Sequence, residues 1–458
     1  MTTSAGLRLI VLAVAGAAAG ARAGEPEILK AIQAFFETDG ADRREELVRQ
    51  IQNDPAYARE QVTEWLHQAV PFEPRTAGMQ TIDVALRDGQ SRSVVLRIPA
   101  RYDPARPWPL IYALHGTHGS GDDIVRYVEH VLGSNVEQYV VAAPSGYGEV
   151  VVHDVWPPAM EHPTIWAAVK RAVHVDSDRV FVLGYSRGGH AAWTLAVLHA
   201  DQFAGVVALA GTFVLPEVDK LWDTLLPNLA DSYVLCAWGA GDTGGDDRAG
   251  SPQGGIAGLN RTLCALADSL HLPVRGHEDP DKGHGNVEPP PELLKELLSR
   301  RRTHYPAQVR HRFRDIYQAQ AYWLEGHAWT GPQWTEKLPS TSLRQGEDPH
   351  NREHVREAVA RTIRGTLGEL RGTIDARSVD VRRNKVSELT IWFGDGMIDW
   401  SQPVTVKVSG RTVYEGKVAA NLFVCLSQAA RSYDFDRLRW AGLRFKSGAR
   451  IRAVTGQP

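Results

Sequence analysis

A serine hydroxyl becomes a nucleophile when a base can take its proton and a third group holds that base in place. Ser186 stands in Gly184-Tyr185-Ser186-Arg187-Gly188-Gly189, directly after the apolar run Val180–Leu183 and before a helical pattern over His190–His199. A serine on such a strand-to-helix turn is held in a strained backbone with its hydroxyl exposed. The flanking Gly184 and Gly188 fall where a side chain would strike the adjoining strand or helix. The helix N-terminus beneath adds positive potential where an oxyanion would form. The bare G-x-S-x-G motif is weak; its position between a buried strand and a helix, with the extra Gly189, gives it weight.

The partners should follow in the order serine, acid, histidine. Asp242, in Trp238-Gly239-Ala240-Gly241-Asp242, is the first acid after a later strand, with Asp246 and Asp247 as competitors. One strand further, Leu272–His277 leads into Asp279-Pro280-Asp281-Lys282-Gly283-His284-Gly285. His284, between glycines on a loop, is the expected base, whereas His277 falls inside the strand and reads as structural. The segment His115-Gly116-Thr117-His118-Gly119 follows the run Leu110–Leu114. The backbone amides of Thr117 and Arg187 are the expected oxyanion donors. His115 is expected to pin this loop, and Asp122 and Asp123 to cap the helix after it. The charge of Arg187 has two readings, contact with an acidic substrate group or a salt bridge within the fold, of which the second is favoured.

These residues need a scaffold. Thr81–Leu86, Asp88-Gly89 and Ser93–Ile98 have a hairpin signature. Leu110–Leu114, Val140–Ala143, Val180–Gly184, Val206–Gly211 and Tyr233–Gly239 are near-continuous apolar runs separated by helical stretches such as Ile165–Val173. That alternation predicts an α/β fold with a mostly parallel sheet and helices on both faces. It places a catalytic domain at 76–304, after an N-terminal helical segment at 24–75 packed on it. From 305 to 458 the pattern changes to strands and turns: Val309–Tyr317, Ala321–Leu324, Ile374–Val381, Val386–Phe393, Val404–Val408, Arg411–Tyr414 and Arg439–Phe445, with a short helix at His354–Ile363. This predicts a C-terminal all-β, sandwich-like domain. Its aromatics Trp392, Phe393, Trp400, Tyr414 and Trp440 read first as sandwich core and second as a sugar-binding surface.

Composition narrows the function classes. The 458 residues, 43% hydrophobic and 23% charged, exceed one ordinary core and describe a globular protein. A formal charge of −3 without a basic run argues against nucleic acid. Arg8, the apolar run Leu9–Ala15 and Ala21-Arg22-Ala23 read as a signal peptide over residues 1–23, so the protein is expected in the periplasm or outside the cell. Its apolar core of ~12 residues is short of the ~20 a span needs, and no later segment reads as one. Cys236, Cys264 and Cys425 are too few for a disulfide framework; Cys236 and Cys264 would pair only if the fold joins them, and buried free thiols are expected. No spacing suggests a metal.

Leu114-His115-Gly116-Thr117, the stretch Val175-Asp176-Ser177-Asp178-Arg179 through Gly184-Tyr185-Ser186-Arg187-Gly188-Gly189, Gly241-Asp242 and Gly283-His284-Gly285 together resemble one branch of the α/β-hydrolases. That branch is the polyhydroxybutyrate depolymerase and feruloyl or acetylxylan esterase group, adjacent to the prolyl-oligopeptidase-like catalytic domain. The likeness covers roughly residues 80–300. It implies an eight-stranded sheet, the triad Ser186–Asp242–His284, hydrolysis of a small-molecule or polysaccharide ester through an acyl-enzyme, and no cofactor. The ~70 residues ahead of the sheet cannot form two propeller blades of ~40, which makes an oligopeptidase less favoured. A peptidase with the same triad, and an inactive hydrolase fold with a glycan- or protein-binding β-domain, are the alternatives. Tyr147–Glu161, including Trp156, and Thr212–Asp231 are expected to line the pocket.

Overall fold

The computed structural model describes residues 25–87, 89–146, 158–214, 220–243, 255–331, 340–448 and 451–454. Residues 1–23, expected from the sequence to be a signal peptide, and Trp156, Asp246 and Asp247 lie outside the described residues.

Apolar runs without polar alternation must be covered on both sides. The runs form an eight-stranded sheet from β1 (Gly78–Ala85), β2 (Ser91–Ile98), β3 (Trp108–Leu114), β4 (Val140–Pro144), β5 (Val175–Tyr185), β6 (Gly205–Leu209), β7 (Val234–Gly239) and β8 (Val274–Asp279), in the order β1-β2-β4-β3-β5-β6-β7-β8. β1 and β2 form an antiparallel hairpin in register from Gly78↔Ile98 to Ala85↔Ser91, and β2 meets β4 antiparallel. All remaining pairs are parallel.

Strand side chains alternate between two cores, as a period of two demands. Leu110, Tyr112, Val180, Val182, Val206, Ala208, Val234 and Cys236 face one core; Ile111, Ala113, Phe181, Leu183, Val207, Leu209, Leu235 and Ala237 face the other. Ahead of the sheet lie α1 (Glu25–Glu37), α2 (Ala41–Asn53) and α3 (Val62–Ala69). Within it come α4 (Gly121–Leu132), α5 (Pro158–Ala172), α6 (Arg187–Leu198), the one-turn α7 (Trp222–Leu225), α8 (Gly255–Ser269) and α9 (Pro291–Leu298). Helices α5 to α8 cover the first face; α4 and α9 cover the second. Ser120 caps α4, with Asp123 completing a reciprocal capping box and Asp122 in the first turn.

The C-terminal unit holds β9 (Gln308–Phe313), β10 (Gln320–Ala321), β11 (Leu324–Trp329), α10 (Arg352–Thr366), β12 (Gly368–Ile374), β13 (Ser378–Asn384), β14 (Val386–Phe393), β15 (Val404–Val408), β16 (Arg411–Gly416), α11 (Leu422–Ser432), β17 (Ala441–Lys446) and β18 (Arg452–Ala453). Two five-stranded sheets, β10-β11-β14-β17-β18 and β16-β15-β13-β12-β9, enclose a shared apolar core. Phe393 is buried in the sandwich core, against which half-buried Trp400 and Tyr414 pack, whereas Trp440 is buried in the core shared with the N-terminal helices and Trp392 is buried outside both.

Three local features depart from the sequence pattern. Ile374–Val381 is not one strand: the Asp375 carboxylate accepts from the amides of Arg377 and Ser378, both at 2.8 Å, and turns β12 back into β13. The unit is not purely β, because α11 starts at Asn421, whose side chain accepts from the Val424 amide at 3.2 Å. The N-terminal helices spend their apolar faces mainly on the C-terminal unit, with Phe35, Leu47, Ile51 and Trp65 joining Phe423, Leu426, Phe435 and Trp440.

The two larger units are not separable beads. α10 inserts Ala360 and Ile363 into the core over the α/β sheet. Asn228 donates to the carbonyls of Val197, at the end of α6, and Arg312, in β9, each at 2.8 Å. Buried Arg302 grips Asp434 through two bonds of 2.6 and 2.7 Å and reaches Asp178, in β5, at 3.1 Å. Burial alone would raise the Asp434 carboxyl, but Arg302, Arg437 and Lys170 hold it far below the usual carboxylate range. Removing the cation takes the two-pronged partner from buried Asp434 and one partner from Asp178, so Arg302→Leu should cost about 3 kcal/mol in unfolding free energy even with Arg437 and His304 still nearby. Arg302→Lys should recover part of that loss, since an ammonium cannot form the two-pronged pair. Denaturant unfolding curves of the three proteins check this.

Candidate active site

Ser186 adopts φ 58° and ψ −118°, a conformation that costs a residue with a Cβ about 1–3 kcal/mol. Three close approaches impose it. A Cβ on Gly184 would lie 2.0 Å from the Gly188 carbonyl oxygen, and one on Gly188 would lie 1.9 Å from that of Leu114. One on Gly189 would lie 2.6 Å from the Leu209 oxygen. Strands β3, β5 and β6 therefore press on the start of α6 with glycine as the only fit. The Ser186 amide donates to the Leu209 carbonyl at 2.8 Å, and the His190 amide to the Ser186 carbonyl at 3.1 Å.

The structure brings Ser186, His284 and Asp242 together. Ser186 Oγ lies 2.8 Å from His284 Nε2, and His284 Nδ1 lies 2.8 Å from Asp242 Oδ2. The carboxylate accepts the Nδ1 proton, which leaves Nε2 of the neutral ring to accept from the serine hydroxyl. Asp242 is 4% exposed and the His284 side chain 48% exposed, so the acid is sealed while the base meets solvent. The hydrogen bond to Asp242 raises the His284 pKa above its ordinary value, against the opposing effect of burial. His277 is elsewhere, within β8 opposite Ala237.

Both loops are pinned. The Asp242 amide donates to the Gly239 carbonyl at 3.0 Å, and the Asp242 carbonyl accepts from Ala257 in α8 at 3.0 Å. Gly241 donates to the Lys282 carbonyl at 2.9 Å, and a Cβ on Gly239 would lie 2.2 Å from the Gly283 oxygen. The acid and histidine loops thus run in backbone contact. The Tyr185 hydroxyl donates to the His284 carbonyl at 2.7 Å, and that of Tyr127 donates to the Val287 carbonyl. Sequence reasoning passed over both tyrosines: Tyr185 occupies the variable position before the serine, and nothing in its spacing announces a partner 99 residues away.

On the other side of the serine, the Gly116–Thr117 segment passes close by. A Cβ on Gly116 would lie 3.2 Å from Ser186 Cβ. His115, 1% exposed, donates from Nδ1 to the Gly116 carbonyl at 2.7 Å and accepts at Nε2 from the Gly146 amide at 3.0 Å. Burial lowers its pKa, which keeps it neutral and suited to both bonds. Thr117 follows Gly116 on this loop and is exposed, and Arg187 follows Ser186 as the first residue of α6. No cluster of three or more metal-ligating side chains exists among the described residues.

The raised His284 pKa depends on a negative partner. In Asp242→Asn that charge is gone, so the imidazolium loses its stabilisation and the His284 pKa should fall below its wild-type value. Histidine ring titration followed by NMR in the two proteins reads this directly.

No family model matches the chain. A protein of Aspergillus terreus described as "Probable feruloyl esterase C" is 26% identical over 147 residues, covering 30% of this chain and 50% of that protein. Feruloyl esterase C of Emericella nidulans is 24% identical over 152 residues, covering 31% and 54%. The chain thus spans about half the length of these curated relatives. Among solved structures, a ferulic acid esterase aligns with a TM-score of 0.38 and 15% identity over 49% of this chain and 96% of its own. A poly(aspartic acid) hydrolase-1 from Sphingomonas sp. KT-1 aligns with 0.38 and 15% over 49% and 98%. Strand order, the parallel crossovers and the strained serine turn at the end of β5 are this chain's own features, and by them it has the α/β-hydrolase fold.

Proposed function

We propose that this chain is an exported serine hydrolase that cleaves carboxylic esters through an acyl-enzyme on Ser186. The observation that carries the reading is the continuous hydrogen-bonded line from Ser186 Oγ through the His284 ring to Asp242, with 2.8 Å at each step. In this reading residues 76–304 are the catalytic unit, and 24–75 and 305–458 are built onto it. The leader-like segment at 1–23 supports export to the periplasm or the medium.

His284 Nε2 takes the hydroxyl proton as Ser186 Oγ attacks the ester carbonyl carbon. Asp242 stabilises the resulting imidazolium and fixes its orientation. The amides of Arg187 and Thr117 receive the oxyanion, helped by the positive end of α6. His284 Nε2 then protonates the leaving alcohol and activates water to free the acid. The feruloyl esterase relatives support an acylated polysaccharide, or a fragment of one, as the substrate.

Purified protein should hydrolyse nitrophenyl acetate, nitrophenyl butyrate and a feruloylated sugar in preference to proline-containing peptide amides. Ser186→Ala should lower kcat/KM by about 10⁴-fold or more. Peptide cleavage without an ester preference would point to a peptidase instead, and full ester activity in Ser186→Ala would remove Ser186 from the chemistry. Because His284 must be neutral to accept a proton, kcat/KM should rise with pH through its raised pKa. Asp242→Asn should move that limb to lower pH while cutting the rate. Tyr185→Phe releases the histidine backbone and should lower kcat about tenfold with little change in KM.

A further inference from the structure

Cys236 lies in the middle of β7, fully buried, with its side chain on the face that α8 covers. The register of β7 and β8 sets Gly276 directly beside it. Cys264, in α8, stands over that glycine: a Cβ on Gly276 would lie 2.8 Å from Cys264 Sγ. The missing side chain lets the helix descend onto β8, which sets the Cys264 thiol over the strand position next to Cys236. Cys236 is sealed, while Cys264 is half-buried and within reach of solvent. The third cysteine, Cys425, is buried in a different core among the N-terminal helices and α11.

We propose that Cys236 and Cys264 form a dithiol that closes to a disulfide between β7 and α8 when the protein meets a disulfide donor. The chemistry runs by thiol–disulfide exchange. The neighbouring Cys236 thiol lowers the Cys264 pKa and so favours its thiolate, whereas burial pushes the Cys236 thiol well up. Cys264 Sγ attacks one sulfur of the donor disulfide, which breaks and releases one donor thiol. Cys236 then loses its proton and attacks Cys264 Sγ in the mixed disulfide, releasing the second donor thiol. Two protein thiols are oxidised by two electrons and one donor disulfide is reduced to two thiols. The bridge would close the segment 236–264, which contains Asp242, and would fasten the helix whose Ala257 amide holds the Asp242 carbonyl. Neither step depends on the ester-cleavage reading.

The test uses the full chain equilibrated in an oxidising mixture of oxidised and reduced glutathione, then quenched with iodoacetamide in denaturant so that the buried Cys236 and Cys425 are also reached. The intact mass should show one alkylated cysteine, with the bridged protein lighter by about 2 Da from its two lost hydrogens. Tryptic peptides 221–248 and 262–275 should travel as one species without reductant and separate after reduction, with Cys425 alkylated. Oxidation should raise the thermal midpoint by about 5 °C or more, and Cys264→Ser should abolish both the link and the rise. Three alkylatable thiols after equilibration, a link through Cys425, or a glutathione adduct on Cys264 that never resolves would each overturn the proposal. The peptide map needs only the wild-type chain, so it decides even where a variant folds poorly.

Discussion

The close approach of β3, β5 and β6 to the first turn of α6 is the constraint on which the rest of the molecule depends. It holds Ser186 at a positive φ that a residue with a Cβ avoids, and glycine at 184, 188 and 189 is what lets the segments touch. The strain costs little beside the burial around it: every residue of α6 from Gly188 to Leu198 is buried. A helix that is apolar all round needs a cover on its outer side as well. Here the C-terminal unit supplies it, through β9 and the Asn228 bonds that join the end of α6 to that strand. The C-terminal unit thus helps hold the helix that begins at Ser186.

The other two members of the hydrogen-bonded line are held by backbone rather than by bulk. Gly239 lets the acid and histidine loops lie against each other, and the carbonyls of His284 and Val287 receive tyrosine hydroxyls from β5 and α4. Asp242 is sealed and His284 half-exposed, so the acid is fixed in position while the ring stays open to solvent. Further down the sheet, Arg302 fixes the C-terminal unit to β5 through a buried pair of carboxylates. Such a pair favours one relative placement of the units because any slippage leaves charges unmatched in a poor solvent.

Much of this was legible in the sequence. The apolar runs from Leu110 to Gly239 gave the parallel sheet because strands covered on both faces carry no polar alternation. Glycines two residues on either side of Ser186 marked a turn that only a packed strand–helix junction requires. Asp242 and His284 were readable because each follows a strand directly on a glycine-rich loop. What stayed hidden depends on contacts far apart in sequence. Leu422–Ser432 falls in a stretch whose pattern is mostly strands and turns, and the Asn421 cap and the N-terminal helices that cover it make α11. Ile374–Val381 reads as one strand until the Asp375 side chain is seen bonding the two amides that reverse the chain. The meeting of Cys236 and Cys264 hangs on Gly276, a residue that is nearby only once β8 has paired with β7.

On the function proposed above, Ser186 is a nucleophile activated by His284. The most direct measurement is covalent capture with a fluorophosphonate, in which the serine oxygen bonds phosphorus and fluoride leaves. A single adduct is expected on tryptic peptide 180–187, at Ser186, with a labelling rate about 100-fold or more lower in His284→Ala. An adduct on another residue, or equal labelling rates in the two proteins, would contradict it.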